Sequence, residues 1–231
     1  MVRLVGRCFY PDKRINIFVG PLGSGKTELA INTALVLAEK VPVALVDLDV
    51  INPYYRVRRV KAELAARGMN VVCPPGNMSL ADVPALPPAI TAVLARDDLR
   101  EVFDVGGDDI GARVLGRFRP FLPAEQYAVF FVVNTCRPQV ATLTDIHRMV
   151  DRVERAARVR IDYLVNNTNL GLETEAATVI AGRRMLDSVV RARGVPLAFT
   201  GVRPEIAEAV RALDPVTPVL PLKLFMRPPW E

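Results

Sequence analysis

The sequence predicts an α/β domain, a mostly parallel sheet of about seven strands with helices on both faces. Three observations carry that expectation. Apolar runs of strand length recur along the 231 residues, and most are followed by a segment of helical periodicity. The runs are apolar throughout rather than alternating, as strands buried on both faces are. Polar residues then stand at the ends of those runs, which is where ligands bind in open parallel sheets.

The elements follow in order. Residues 1–14 read as irregular, with Pro11-Asp12-Lys13-Arg14 as a turn. Ile15–Val19 is the first strand, and the first helix runs from about Gly25 to Lys40. Val43–Val46 is the second strand, followed by a loop that begins Asp47-Leu48-Asp49 and reaches Pro53. A helix over Tyr54–Arg67 stops at Gly68. Asn70–Cys73 is a short third strand. A proline-rich loop follows, from Pro74 to Pro88, then a helix over Ala89–Asp97. Glu101–Asp104 is the fourth strand, running into Val105-Gly106-Gly107-Asp108-Asp109, and a helix or turn spans Ile110–Arg117. Tyr127–Val133, Ile161–Val165 and Leu197–Thr200 complete the strands. Helices over Val140–Ala157, Glu173–Arg193 and Pro204–Leu213 lie between and after them. The tail 216–231 is apolar and rich in proline (Pro218, Pro221, Pro228, Pro229), and is expected to pack back on its own domain. With no repeat, linker or composition break, residues 1–231 read as one domain.

Residues 20–27 read Gly-Pro-Leu-Gly-Ser-Gly-Lys-Thr, between a strand and a helix. This is the spacing of a phosphate-binding loop, and on the order of one chain in a thousand would carry it by accident. Gly20, Gly23 and Gly25 let a phosphate approach the backbone closely. The N–H groups of the loop, including those of Ser24 and Gly25, then converge on the anion with the helix N-terminus. Lys26 adds a full positive charge, and the Thr27 hydroxyl suits Mg²⁺. The expected ligands are therefore a nucleotide and Mg²⁺.

Composition sets the outer limits. Half of the chain (51%) is hydrophobic, enough for a large core, yet no apolar run approaches the ~18 residues of a membrane helix. The N-terminus lacks the apolar stretch of a signal peptide, so a cytoplasmic location is the expectation. The net charge of +5 suits acidic partners, but scattered Arg on solvated helix faces gives the same total. Three separated cysteines, Cys8, Cys73 and Cys136, form neither a metal pair nor a disulfide framework.

Binding phosphate is not hydrolysis, which also needs a metal and an oriented water. Asp104 ends an apolar strand before two glycines, the position of a carboxylate that holds Mg²⁺. Gly106 and Gly107 would let the chain bend around a γ-phosphate. Asp49 is placed to order the attacking water, and Asp47 to bond Mg²⁺-bound water or Lys26. The expected catalytic residues are thus Lys26, Asp49 and Asp104, and the expected metal residues Thr27, Asp104 and Asp47.

Taken together, Gly20–Thr27, Val43-Ala44-Leu45-Val46-Asp47-Leu48-Asp49, Val102-Phe103-Asp104-Val105-Gly106-Gly107 and Leu164-Val165-Asn166-Asn167 resemble the MinD/ParA/CobQ-type P-loop ATPases, of the SIMIBI class. Dethiobiotin synthetase and the nitrogenase iron protein are relatives of that group. The resemblance covers about residues 15–210 and implies a P-loop NTPase fold. It implies that Asp49 is a switch residue in catalysis and that Asp104 serves Mg²⁺. It also implies that Asn166 or Asn167 reads the adenine edge, with Thr200–Glu205, including Pro204, along the other side of the base. An Asn offers the donor and the acceptor that a purine edge requires. Pro21 stands where MinD and ParA members carry a second lysine that reaches a partner subunit's nucleotide. Val105 is followed directly by Gly106, without the switch cysteine of the nitrogenase iron protein.

The function this suggests is a Mg²⁺-dependent ATP-binding protein with slow ATPase activity, acting as a switch or accessory factor for a partner protein. One alternative is an ATP-dependent small-molecule enzyme, with the loop 74–88 over its substrate. Another is a positioning ATPase on DNA or membrane. Arg56, Arg58, Arg59 and Lys61, and again Arg183, Arg184, Arg191 and Arg193, are basic clusters on helices, but they read as solvated faces. Nucleic acid is therefore not an expected partner. No N/T-K-x-D guanine motif is present, which favours ATP. A homodimer is left open.

Overall fold

The computed structural model describes residues 2–5, 8–11, 13–49, 57–73, 88–107, 109–123 and 125–226. The first two stretches form an antiparallel hairpin, β1 (Val2–Val5) and β2 (Cys8–Pro11), with Val5 opposite Cys8. This corrects the irregular reading of residues 1–14. Strands of four residues are too short for a periodicity to stand out in the sequence.

The main sheet contains β3 (Ile15–Val19), β4 (Val43–Leu48), β5 (Asn70–Val72), β6 (Arg100–Val105), β7 (Tyr127–Val133), β8 (Tyr163–Asn166), β9 (Leu197–Val202) and β10 (Val219–Pro221). All pairings are parallel, in the order β5-β4-β6-β3-β7-β8-β9-β10. All seven expected strands are present. The eighth, β10, lies in the tail, where the prolines argue against a strand. They are tolerated because β10 is an edge strand. The Pro218 carbonyl accepts from the Thr200 N–H at 2.9 Å, and a missing N–H on the open side removes no ladder bond.

The helices are α1 (Lys26–Ala38), α2 (Lys61–Ala66), α3 (Pro88–Leu94), α4 (Asp109–Phe118), α5 (Leu143–Ala157), α6 (Ala176–Arg193) and α7 (Ala207–Leu213). The expected helix 54–67 is shorter in its described part: a 3-10 turn over Val57–Val60 precedes α2. Residues 50–56 and most of the loop 74–88 lie outside the described residues, as do 227–231 of the tail. A parallel strand must bury both faces, and alternate residues of each strand do so. Ile15, Ile17 and Val19 of β3, with Val129, Phe131 and Val133 of β7, pack under residues of α3, α4, α5 and α6. On the other face Phe18 stacks on Phe130, ring centroids 5.1 Å apart, beneath Leu29, Ala30 and Ala34 of α1. β3 therefore sits at the centre, and whatever follows it opens at the middle of the carboxyl edge of the sheet.

Candidate functional site

Five strands deliver polar residues to that edge. The register fixes their heights: Asp104 of β6 lies level with Phe18 of β3 on one side and with Asp47 of β4 on the other. The loop after β3 turns over them into α1. Gly25 has φ of 87°, and a Cβ there would fall 2.2 Å from Asn167 Nδ2. Both the left-handed backbone and the crowding demand glycine. Gly107 is a second close approach, since a Cβ would come within 2.7 Å of Lys26 Nζ and 2.8 Å of the Leu22 nitrogen.

Lys26 and Thr27 are buried at the start of α1. The Thr27 hydroxyl donates to Asp104 Oδ2 at 2.7 Å. Asp104 Oδ1 is buried and has no hydrogen-bond partner. Burial pushes the Asp104 carboxyl up to about 8. Lys26 and the Thr27 hydrogen bond act against that shift, while Asp47 and Asp49 add to it. A buried carboxylate oxygen without a partner, beside a hydroxyl and a cavity, is a fit for a hard divalent cation such as Mg²⁺. Among the described residues no cluster of three or more His, Cys, Asp or Glu side chains offers an all-protein metal cage.

Asp47 is fully buried, and both of its oxygens are in use. Oδ1 accepts from the Asp49 N–H at 3.0 Å, and Oδ2 from Arg58 Nε at 3.2 Å. Burial raises its pKa, with Arg58 opposing. The geometry thus gives Asp47 a role in shaping the turn that carries Asp49. Asp49 is also buried, and its Oδ1 lies 3.2 Å from where a Gly106 side chain would begin. The acidic side chain therefore packs against the Gly106 backbone.

The two asparagines after β8 separate cleanly. Asn166 is consumed by the fold: Nδ2 donates to the Val179 carbonyl at 3.1 Å and Oδ1 accepts from the Thr168 N–H at 3.2 Å. Asn167 reaches the phosphate loop, with Nδ2 donating to the Ser24 carbonyl at 2.7 Å. A carbonyl can only accept, so this bond orients the amide and leaves Oδ1 as an acceptor.

Beside these groups lies a cavity of about 610 Å³, well within the size range of ligand sites. Gly23, Gly25, Lys26, Thr27 and Asp49 line it, and so do Asn167, Gly201 and Arg203. Pro204 is exposed, and the expected base-lining segment contributes Gly201, Val202 and Arg203 instead.

The sequence reading passes over several lining residues. Arg137, in the loop after β7, donates from Nε to the Gly23 carbonyl at 3.1 Å and covers the outside of the phosphate loop. Glu28 follows Thr27 directly, and Leu222, Leu224 and Met226 come from the tail. Only topology brings them together. Arg137 sits 114 residues from Gly23, and no local periodicity marks it.

No protein-family model matches the chain, and no curated protein matches it. Solved structures do. The cell division protein FtsY of Thermotoga maritima is 18% identical, with a TM-score of 0.58, over 83% of this chain and 63% of that one. The signal recognition particle receptor FtsY of Elizabethkingia anophelis, in complex with GDP, is 16% identical, with a TM-score of 0.59, over 94% and 61%. FlhF complexed with GTP and Mg²⁺ is 13% identical, with a TM-score of 0.51, over 82% and 66%. The chain spans 61% to 63% of the length of the two FtsY proteins. At such identities the likeness establishes the fold, the phosphate-loop fold expected from the sequence. No helix among the described residues is long and apolar enough to cross a membrane.

Proposed function

We propose that this chain is a Mg²⁺-dependent nucleoside triphosphate switch, selective for ATP, with slow hydrolysis and a protein partner that reads its state. The observation that carries the reading is the pair Thr27 and Asp104: a 2.7 Å hydrogen bond beside a buried carboxylate oxygen with no partner, immediately behind Lys26. Lys26 and the loop amides bind the phosphates. Thr27 and Asp104 hold Mg²⁺, which would neutralise phosphate charge. Asp49, buried against Gly106, is the group nearest in kind to a water-orienting base. Gly106 and Gly107 follow Asp104 and pass beside Asp49 and Lys26, so a bound γ-phosphate would be sensed by the segment that enters α4.

Adenine is favoured by Asn167. Its remaining acceptor suits the adenine amino group and would face the guanine carbonyl oxygen unfavourably. The Elizabethkingia anophelis FtsY structure is a complex with GDP and the FlhF structure a complex with GTP and Mg²⁺, so the choice of base is the first thing to measure. The MinD/ParA/CobQ-type motifs support the ATP reading, and the fold shared with FtsY and FlhF supports a switch. Pro21 takes the place of a second lysine, which is why hydrolysis without a partner is expected to be slow. A cytoplasmic site of action and a single functional domain belong to the same proposal.

The test is equilibrium binding of ATP and GTP with and without Mg²⁺, with phosphate release measured in parallel. Wild type should bind ATP more tightly than GTP and only with Mg²⁺, and Lys26→Ala should lose binding. Absence of Mg²⁺-dependent nucleotide binding in the wild type would overturn the proposal.

A further inference from the structure

The tail does more than return to its own domain. After β10, residues 222–226 run along the phosphate-binding helix and are fastened to it by side chains of that helix. Asn32 pairs with the Lys223 backbone on both sides, accepting from its N–H and donating to its carbonyl, each at 2.8 Å. The Glu28 carboxylate accepts from the Phe225 N–H at 2.9 Å and from the Met226 N–H at 2.6 Å. Leu222 and Phe225 are buried against α1, while Leu222, Leu224 and Met226 line the cavity. Leu224 is 54% exposed, an apolar surface facing the cavity side with little protein over it.

Glu28 makes this arrangement consequential. It is the residue after Thr27, and it lines the same cavity as Lys26. Its carboxylate is taken up by the two N–H groups of the strap. The strap thus supplies an apolar wall and is anchored, through its backbone, to the helix that carries Lys26.

We propose that residues 222–226 are a strap that forms one wall of the base site, and that nucleoside binding and strap docking stabilise each other. The inference rests on the nucleotide reading above. Coupling of this kind is reciprocal: if the docked strap improves binding of the base, a bound base holds the strap down by the same factor. The apolar wall takes the flat face of a purine, and the phosphates alone gain nothing from it.

The full chain is titrated with ATP, GTP and inorganic tripolyphosphate, each with Mg²⁺, and amide hydrogen exchange is followed over residues 219–226. Two variants are compared with wild type. Leu224→Ser combined with Met226→Ser strips the wall, and both changes lie on side chains that are not fully buried. Asn32→Ala removes an anchor that does not line the cavity. The double variant should weaken nucleoside triphosphate binding roughly tenfold, and Asn32→Ala about threefold. Tripolyphosphate affinity should stay at the wild-type value in both. A nucleoside triphosphate should slow exchange of the Lys223, Phe225 and Met226 amides, and tripolyphosphate should not. Wild type that binds nucleotides while both variants bind them equally well overturns the strap alone. Equal losses for nucleotide and tripolyphosphate overturn it too, because the variants would then act on the phosphate loop. Wild type that binds none of the three probes removes the nucleotide site, and the strap with it.

Discussion

Two ionic clusters are buried at opposite ends of the same pair of strands, and the one at the carboxyl end borders the cavity. At the amino ends of β3 and β6, Arg14 meets Glu101 at 2.5 Å. The same guanidinium donates to the Arg96 carbonyl at 2.8 Å and to Gln126 Oε1 at 2.9 Å. At the carboxyl ends, Asp104, Asp47 and Asp49 gather near Lys26 and Arg58. Each cluster leaves one carboxylate oxygen without a partner, Glu101 Oε2 in one and Asp104 Oδ1 in the other. Unpaired polar atoms therefore do not distinguish them. Charge balance and access do. One buried cation answers one buried carboxylate at the amino end. At the carboxyl end three carboxyl groups share two cations, and Lys26 and Asp49 of that cluster line a cavity. A surplus of carboxyl groups beside a cavity suits a cation, ionising as the cation binds; a one-to-one buried pair away from it is part of the frame.

The comparison breaks most readily at Arg14. Arg14→Ala strands Glu101 in the interior and should destabilise the fold by about 3–5 kcal/mol, read by denaturant unfolding. Nucleotide affinity of the folded fraction should match wild type. A stability loss below about 1 kcal/mol would mean that the amino-end pair is relaxed by water, and the contrast would fall.

Asp104→Asn should act the opposite way, stabilising the protein without ligand and abolishing Mg²⁺-dependent binding. The folded Asp104 carboxyl is pushed up to about 8, against an ordinary value of 3.8. Its contribution to stability is therefore complete below about pH 4 and is lost as the pH rises through 8. Thermal melts of the ligand-free wild type should fall over that window, and those of Asp104→Asn should fall less. Calorimetry at pH 7 in two buffers of different ionisation enthalpy should show proton release when Mg²⁺ and nucleotide bind, because the site must ionise to hold the cation. No proton release would show that Asp104 is already charged.

How legible all this was depends on distance along the chain. The phosphate loop and the strand-end aspartates are local patterns, and each emerges where the spacing places it. The apolar runs give seven of the eight strands of the main sheet, because a doubly buried parallel strand has a plain signature. β10 has none, since Pro218 and Pro221 mask a strand that needs hydrogen bonds on one side only. Arg14 and Glu101 are 87 residues apart, and Asn32 and Lys223 are 191 apart. Their partnerships are products of strand order, which periodicity does not encode. Asn166 and Asn167 were indistinguishable as letters. The pleat separates them, turning one toward α6 and the other toward the phosphate loop.

Glu101→Gln tests the amino end more gently than Arg14→Ala. Burial raises the Glu101 carboxyl from 4.5 to about 7, with Arg14 opposing the shift. Its contribution is present below about pH 4.5 and is lost as the pH rises through 7. The variant should flatten that part of the stability profile while leaving nucleotide affinity and proton release untouched. A changed proton release would mean that the two ends communicate through β6.

The smallest expected effect is at Arg137, which belongs to the site yet stands on its solvent side. Its Nε bonds the Gly23 carbonyl at 3.1 Å, and the side chain is exposed. A single hydrogen bond in contact with water contributes on the order of 1 kcal/mol, so Arg137→Ala should weaken ATP binding by about fivefold with no measurable change in unfolding. Arg137→Lys should not restore it, because one ammonium cannot reproduce both the planar fork and its lateral cover over the loop. A loss of a hundredfold or more would place the guanidinium on the phosphates themselves, making Arg137 the positive charge that Pro21 leaves out of the loop.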